Sequence, residues 1–120
     1  MDINVTVRKA EGDAYVVDLP GELDLYTSPA AKAAIQELIA QGHYYLVINL
    51  QRSRYIDSAG VSVLISALKG VREHGGAVNL VYANQLIKKI FEITSLEKIF
   101  GVFQDEQLAV KALARGKLPA

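Results

Sequence analysis

The residues best placed to do chemistry are Asp57 and Ser58, an acid followed at once by a hydroxyl inside "YIDSAG" (55–60). A serine nucleophile needs a base and an orienting acid. "DSAG" is not a G-x-S-x-G elbow, and His43 and His74 both fall where a predicted helix ends, not in a loop after a strand C-terminus. A phospho-accepting aspartate needs an acidic pair after the first strand to hold Mg²⁺ and a lysine after the last parallel strand. Here those places read "RKAEGD", a hairpin turn, and "FQDEQ". The two histidines have no second ligand at useful spacing, so no metal site is expected. No phosphate-binding G-x-x-x-x-G-K-[ST] or G-x-G-x-x-G occurs. What remains is a helix N-terminus: Asp57 as cap, and Ser58 either an ordinary first-turn residue or a modifiable one.

Composition narrows the field. The chain has 120 residues, is 51% apolar and 22% charged, and suits one compact domain. Thirteen basic residues balance thirteen acidic ones, which removes any global pull toward nucleic acid or anionic lipid. Lys88-Lys89 and Arg52/Arg54 are small basic spots, read as solvated surface. With no cysteine there are no disulfides, thiolate metal sites or cysteine nucleophiles. The start "MDINVTVRKAEGD" lacks signal-peptide features, and no apolar run reaches the roughly 18–20 residues that span a bilayer. A cytoplasmic protein without a membrane span is expected.

The elements that must position Ser58 follow from periodicity. "INVTVRKA" (3–10) and "AYVVDLPG" (14–21) read as strands joined by the turn "EGD" and pairing antiparallel. "TSPAAKAAIQELIAQG" (27–42) reads as a helix capped by Thr27 or Ser28, with Pro29 in its first turn and Gly42 at its exit. "YYLVINL" (44–50) is a strand covered on both faces. Helix 58–76, strand 77–83, helix 84–94 capped by Asn84, strand 99–104 and helix 105–116 capped by Asp105 complete the chain. The apolar stripes are Ala31, Ile35, Leu38 and Ile39; Val61, Leu64, Ile65, Leu68 and Val71; and Leu86, Ile87, Ile90 and Phe91. The order β-β-α-β-α-β-α-β-α predicts one small α/β domain over 1–116, with a mostly parallel mixed sheet of about five strands and four helices. Residues 117–120 are expected to form a flexible tail.

Ser58, Ser62 and Ser66 recur every four residues and form one column opposite the apolar stripe of helix 58–76. The first two turns of that face carry no long side chain, so a partner's backbone can come close. A phosphate on Ser58 would meet the helix dipole and the first N–H groups.

"PGELDLYTSP" (20–29), "YIDSAG" (55–60) and "IFEITSLEKIF" (90–100) occur in the order and spacing of the STAS domain, and nearly the whole chain resembles the free-standing bacterial anti-sigma factor antagonists. That resemblance implies a non-catalytic regulator that needs no cofactor or metal. It would bind an anti-sigma factor that is also a serine kinase, and so release a sigma factor. The kinase would phosphorylate Ser58 and end binding, and a serine phosphatase would reset it. No direct contact with nucleic acid is implied. Asp24 of the G-E-L-D motif is expected near Ser58, with Thr27, Ser28, Asp57, Ala59 and Ser62 in the contact surface and Gly60 keeping the approach clear. The alternative within the family is a non-catalytic scaffold subunit of a stress-sensing or lipid-transport assembly. Four positions depart from the usual pattern. Ala59 replaces a second serine, Val61 a leucine, and Asn49 a frequent aspartate. Ser95 stands where glycine is usual, at a cost of about 1 kcal/mol if φ is positive there.

Overall fold

Alternation of side chains along each central strand decides how the layers stack. The computed structural model describes residues 5–19 and 21–116. Its strands are β1 (Thr6–Lys9), β2 (Ala14–Asp18), β3 (Glu22–Leu23), β4 (Tyr45–Asn49), β5 (Tyr55–Ile56), β6 (Ala77–Val81) and β7 (Gly101–Phe103). The helices are α1 (Ser28–Ala40), α2 (Ser58–Arg72), α3 (Gln85–Ile93) and α4 (Glu106–Gly116), with a 3₁₀ turn at Leu96–Lys98. The main sheet has the order β1-β2-β4-β6-β7. Only β1 runs antiparallel within it; β2, β4, β6 and β7 are mutually parallel.

Leu46, Ile48 and Leu50 from the central strand join Val17, Leu19, Val78, Leu80 and Tyr82 on one face, packed against α1, α2 and α3. Val47 points the other way with Ala14, Val16 and Val81, where Ala109, Val110 and Leu113 of α4 cover them. A strand buried on both faces has no polar side to show, which is why 44–50 is almost continuously apolar.

The expected order of nine elements is present, each within a few residues of its predicted bounds. Helix 58–76 stops at Arg72 and helix 27–42 at Ala40. Residues 3–4, Pro20 and the expected tail at 117–120 lie outside the described residues. Asn84 caps α3 as expected, accepting from the N–H groups of Leu86 (2.8 Å) and Ile87 (3.2 Å). Asp105 accepts from Gln107 N–H at 2.7 Å.

Three details differ. Thr27 makes no side-chain cap to α1; the Asp24 carboxylate instead holds the turn before it, at Tyr26 and Thr27. Leu86, expected in the core, is 49% exposed. α3 buries only the narrow stripe of Ile87 and Phe91, with Ile90 half-buried. The two-residue strands β3 and β5 form a separate parallel pair that no periodicity foretells.

Candidate functional site

The miniature sheet brings the two sequence motifs together. Glu22 pairs with Tyr55 and Leu23 with Ile56. Backbone bonds continue the ladder on either side, from Arg54 N–H to Gly21 C=O (2.6 Å) and from Asp57 N–H to Leu23 C=O (3.1 Å). Leu23 and Ile56 are buried, so the pair is pinned to the core by alternate side chains.

Just after β3 the chain turns on Asp24. One oxygen of its carboxylate accepts from Tyr26 N–H (2.9 Å) and Thr27 N–H (3.0 Å), and Ser28 N–H bonds to its carbonyl (2.8 Å). That is an N-cap geometry displaced by one turn from the expected residue. The Thr27 hydroxyl accepts from Asp24 N–H (2.9 Å) and donates to Glu22 C=O (2.8 Å). Thr27 and Ser28 are both buried, at 6% and 5% exposure. The turn they lock displays Leu25 and Tyr26, 66% and 72% exposed.

Asp57 joins the two motifs through its side chain. Oδ1 accepts from Gly60 N–H at 3.1 Å and caps α2; Oδ2 accepts from Leu25 N–H at 3.1 Å. With both oxygens holding backbone donors, this carboxylate is a fastener rather than a base. Ser58 follows at the first helical position and is exposed. Ala59 is half-buried and Ser62 exposed. Gly60, expected to keep a partner's approach clear, is instead buried and turned inward. A Cβ there would lie 2.6 Å from the Leu23 carbonyl oxygen and 2.7 Å from Ile56 Cγ1. The glycine lets α2 start directly against β3.

Asp24, Asp57 and Ser58 thus meet at one corner, over the core formed by Leu23 and Ile56. Three further surface residues at that corner were absent from the expected set: Leu25, Tyr26 and Tyr55, the last 46% exposed. The signal for them was their type, since large apolar side chains stand inside the motifs themselves. Reading it required knowing that they face outward. The histidines are elsewhere, before β4 and β6, with His43 tilted against Tyr15 and His74 stacked on Tyr44, each at 4.1 Å between ring centroids. Among the described residues no group of His, Cys, Asp or Glu is arranged to hold a metal ion, and no helix is long and apolar enough to cross a membrane.

Comparison with known proteins agrees with this geometry. The family model described as the STAS domain matches residues 4–109. The chain is similar to the anti-sigma-B factor antagonist of Bacillus subtilis (strain 168), at 33% identity over 102 residues, 85% of this chain and 92% of that protein. It is 28% identical over 102 residues to the anti-sigma-B factor antagonist of Listeria monocytogenes, covering 85% and 90% of the two chains. The crystal structure of an anti-sigma factor antagonist from Mycobacterium paratuberculosis superimposes with a TM-score of 0.85 at 26% identity, covering 94% of this chain and 95% of that one. A family match that runs through both motifs of this corner makes the chain a member of the STAS domain family.

Proposed function

We propose that this chain is an anti-sigma factor antagonist. It binds an anti-sigma factor that is also a serine kinase, frees the sigma factor, and lets go once Ser58 is phosphorylated. A serine phosphatase restores it. The chain performs no catalysis; it is a ligand and a substrate.

The observation that carries this reading is the exposed Ser58 on a helix start that Asp57 ties to the turn displaying Leu25 and Tyr26, with Tyr55 exposed just before it in the chain. Apolar residues exposed around one polar point suit a surface that a partner covers. Asp24, Thr27, Asp57 and Gly60 set its shape. Ala59 and Ser62 flank it along α2, whereas Ser28, expected in the contact surface, is buried at the start of α1.

A phosphoserine carries roughly −1.5 to −2 charges at neutral pH. The helix dipole and first-turn N–H groups accommodate it, so the fold is retained while the surface becomes negative. A unit charge about 6 Å from a like or poorly solvated group costs about 2–3 kcal/mol at an effective dielectric near 20. That is roughly a hundredfold in affinity.

Incubation with the cognate kinase and ATP is expected to add one phosphate, mapped by peptide mass spectrometry to Ser58. Phosphate on Ser53, Ser62 or Ser95 with Ser58 empty rejects the assignment. Ser58→Asp is expected to weaken calorimetric binding by about one to three orders of magnitude on that electrostatic ground, with its melting temperature unchanged. Ser58→Ala should bind like wild type and stay permanently active.

A further inference from the structure

Leu80, Tyr82 and Val102 share the sheet face that α3 covers. Beyond the end of β6 that face opens into a concavity of about 630 Å³. Its lining is Tyr82, Val102 of β7, Lys88 and Glu92 one turn apart on α3, and Glu97 of the 3₁₀ turn. The volume falls in the range of small-ligand sites, about 300–1,000 Å³. None of the five residues belongs to the Ser58 corner.

Two of the polar groups facing this space are unused by the fold. Tyr82 is only 4% exposed, and its ring lies perpendicular to Phe91 at 4.9 Å between centroids. Its hydroxyl makes no hydrogen bond among the described residues. Burial, and then the charges of Glu97 and Glu92, push this phenol above its ordinary range. It therefore stays a neutral hydroxyl with free lone pairs, and both carboxylates act on it. The Glu97 side chain likewise has no hydrogen bond or ion pair among the described residues. Its Oε2 is closed off from solvent and out of a ligand's reach, so that side of the carboxylate has lost hydration with nothing in exchange. Glu92 adds a second negative charge, and Lys88 forms an ion pair with neither acid among the described residues.

Two carboxylates against one ammonium, a neutral hydroxyl and a valine wall suit an organic cation. A metal ion does not fit, since among the described residues no group of His, Cys, Asp or Glu is arranged to hold one. A guanidinium suits the site better than an ammonium. Its planar fork offers N–H donors to two acceptors at once, and it is the more weakly hydrated of the two. We propose that this concavity binds an alkylguanidinium group, which donates to Oε1 of Glu97 and to the Tyr82 hydroxyl and lays its aliphatic stem against Val102. Glu92 draws the cation in from the rim. Lys88 opposes it, and so disfavours a ligand with a second positive charge. A free small molecule and an arginine side chain of a partner protein present the same group. The proposal does not depend on how Ser58 is used.

Butylguanidinium is the probe, titrated into the full ¹⁵N-labelled chain and followed by NMR, with neutral butylurea as the matched control. Saturable shifts are expected at the amides of Tyr82, Lys88, Glu97 and Val102, and none with butylurea. Tyr82→Phe keeps the ring against Phe91 and should weaken binding about fivefold. Glu97→Gln should weaken it about tenfold or more, and Lys88→Ala should tighten it. Neither Tyr82→Phe nor Glu97→Gln should lower the melting temperature, because neither lost group bonds to anything in the free chain. Glu73→Gln, at the C-cap of α2 and outside the concavity, should leave affinity unchanged. A capped Gly-Arg-Gly peptide that binds tighter than butylguanidinium assigns the site to a partner's arginine; the reverse order assigns it to a free small molecule. Shifts that rise without saturating, equal shifts with butylurea, or unchanged affinity in both Tyr82→Phe and Glu97→Gln overturn the proposal.

Discussion

Single residues decide whether the corner around Ser58 is held in shape. Gly60 faces the Leu23 carbonyl so closely that a methyl group has no room. Gly60→Ala should therefore destabilise by about 1–3 kcal/mol through overpacking, read as a lower denaturant midpoint, and should weaken partner binding by tilting α2. Ser95 makes the opposite prediction. It follows the last residue of α3 and its C-cap Thr94, at φ 60°, and is the one non-glycine with positive φ among the described residues. Ser95→Gly should stabilise by about 1 kcal/mol, a rise of roughly 3–5 °C in melting temperature. Residue type alone raised the question at Ser95, because glycine is usual in the motif it resembles. Only the backbone angle answers it. At Gly60 the type was equally legible, yet the direction in which the missing side chain would point was not.

Between elements, a polar cluster ties α4 to the strands. Arg8 on β1 bonds Glu106 at the start of α4 through both guanidinium ends, at 2.6 and 3.1 Å, and Asp18 on β2 through Nε at 2.9 Å. Asn49 at the end of β4 donates to the same Glu106 oxygen at 2.8 Å. The Arg8 hydrogen bonds, aided by Asn49, hold the Glu106 carboxyl below the usual carboxylate range. A depressed folded value means the contribution is complete above the ordinary glutamate value of about 4.3 and is lost as pH falls through the folded one. Melting temperature should therefore drop on acidification below about pH 4.5, and Arg8→Met should flatten that drop. The cluster also accounts for the asparagine where aspartate is frequent: Glu106 needs a donor there. Asn49→Asp should destabilise by about 1–3 kcal/mol at neutral pH, by like charge and a lost hydrogen bond. It should recover relative to wild type as pH falls, and Glu106→Gln should rescue it at pH 7. The departure at Asn49 was visible in the sequence. Its compensation, 57 residues away, was not.

For the whole molecule the remaining question is switch or scaffold. A switch keeps its docking corner open when free, so the isolated chain should scatter light as a monomer or weak dimer at micromolar concentration. It should form a small defined complex with its kinase. A megadalton particle formed without kinase would favour the scaffold.

By itself the sequence determined the order of elements, the parallel sheet buried on both faces, the caps at Asn84, Asp57 and Asp105, and the serine worth watching. These are local quantities. Period 2 or 3.6 and cap chemistry are written within a dozen residues. The tertiary structure decided what lies between distant segments. Two-residue strands have no period to read, so the pairing of β3 with β5 was silent. So was the role of Asp57, whose second oxygen binds Leu25, 32 residues away. An open groove lined by Leu25, Pro29 and Lys32 on one side and Ala59, Ser62 and Val63 on the other belongs to neither α1 nor α2 alone. It exists because α1 and α2 pack on the same sheet face and leave Ser28 buried between them, its hydroxyl without a partner.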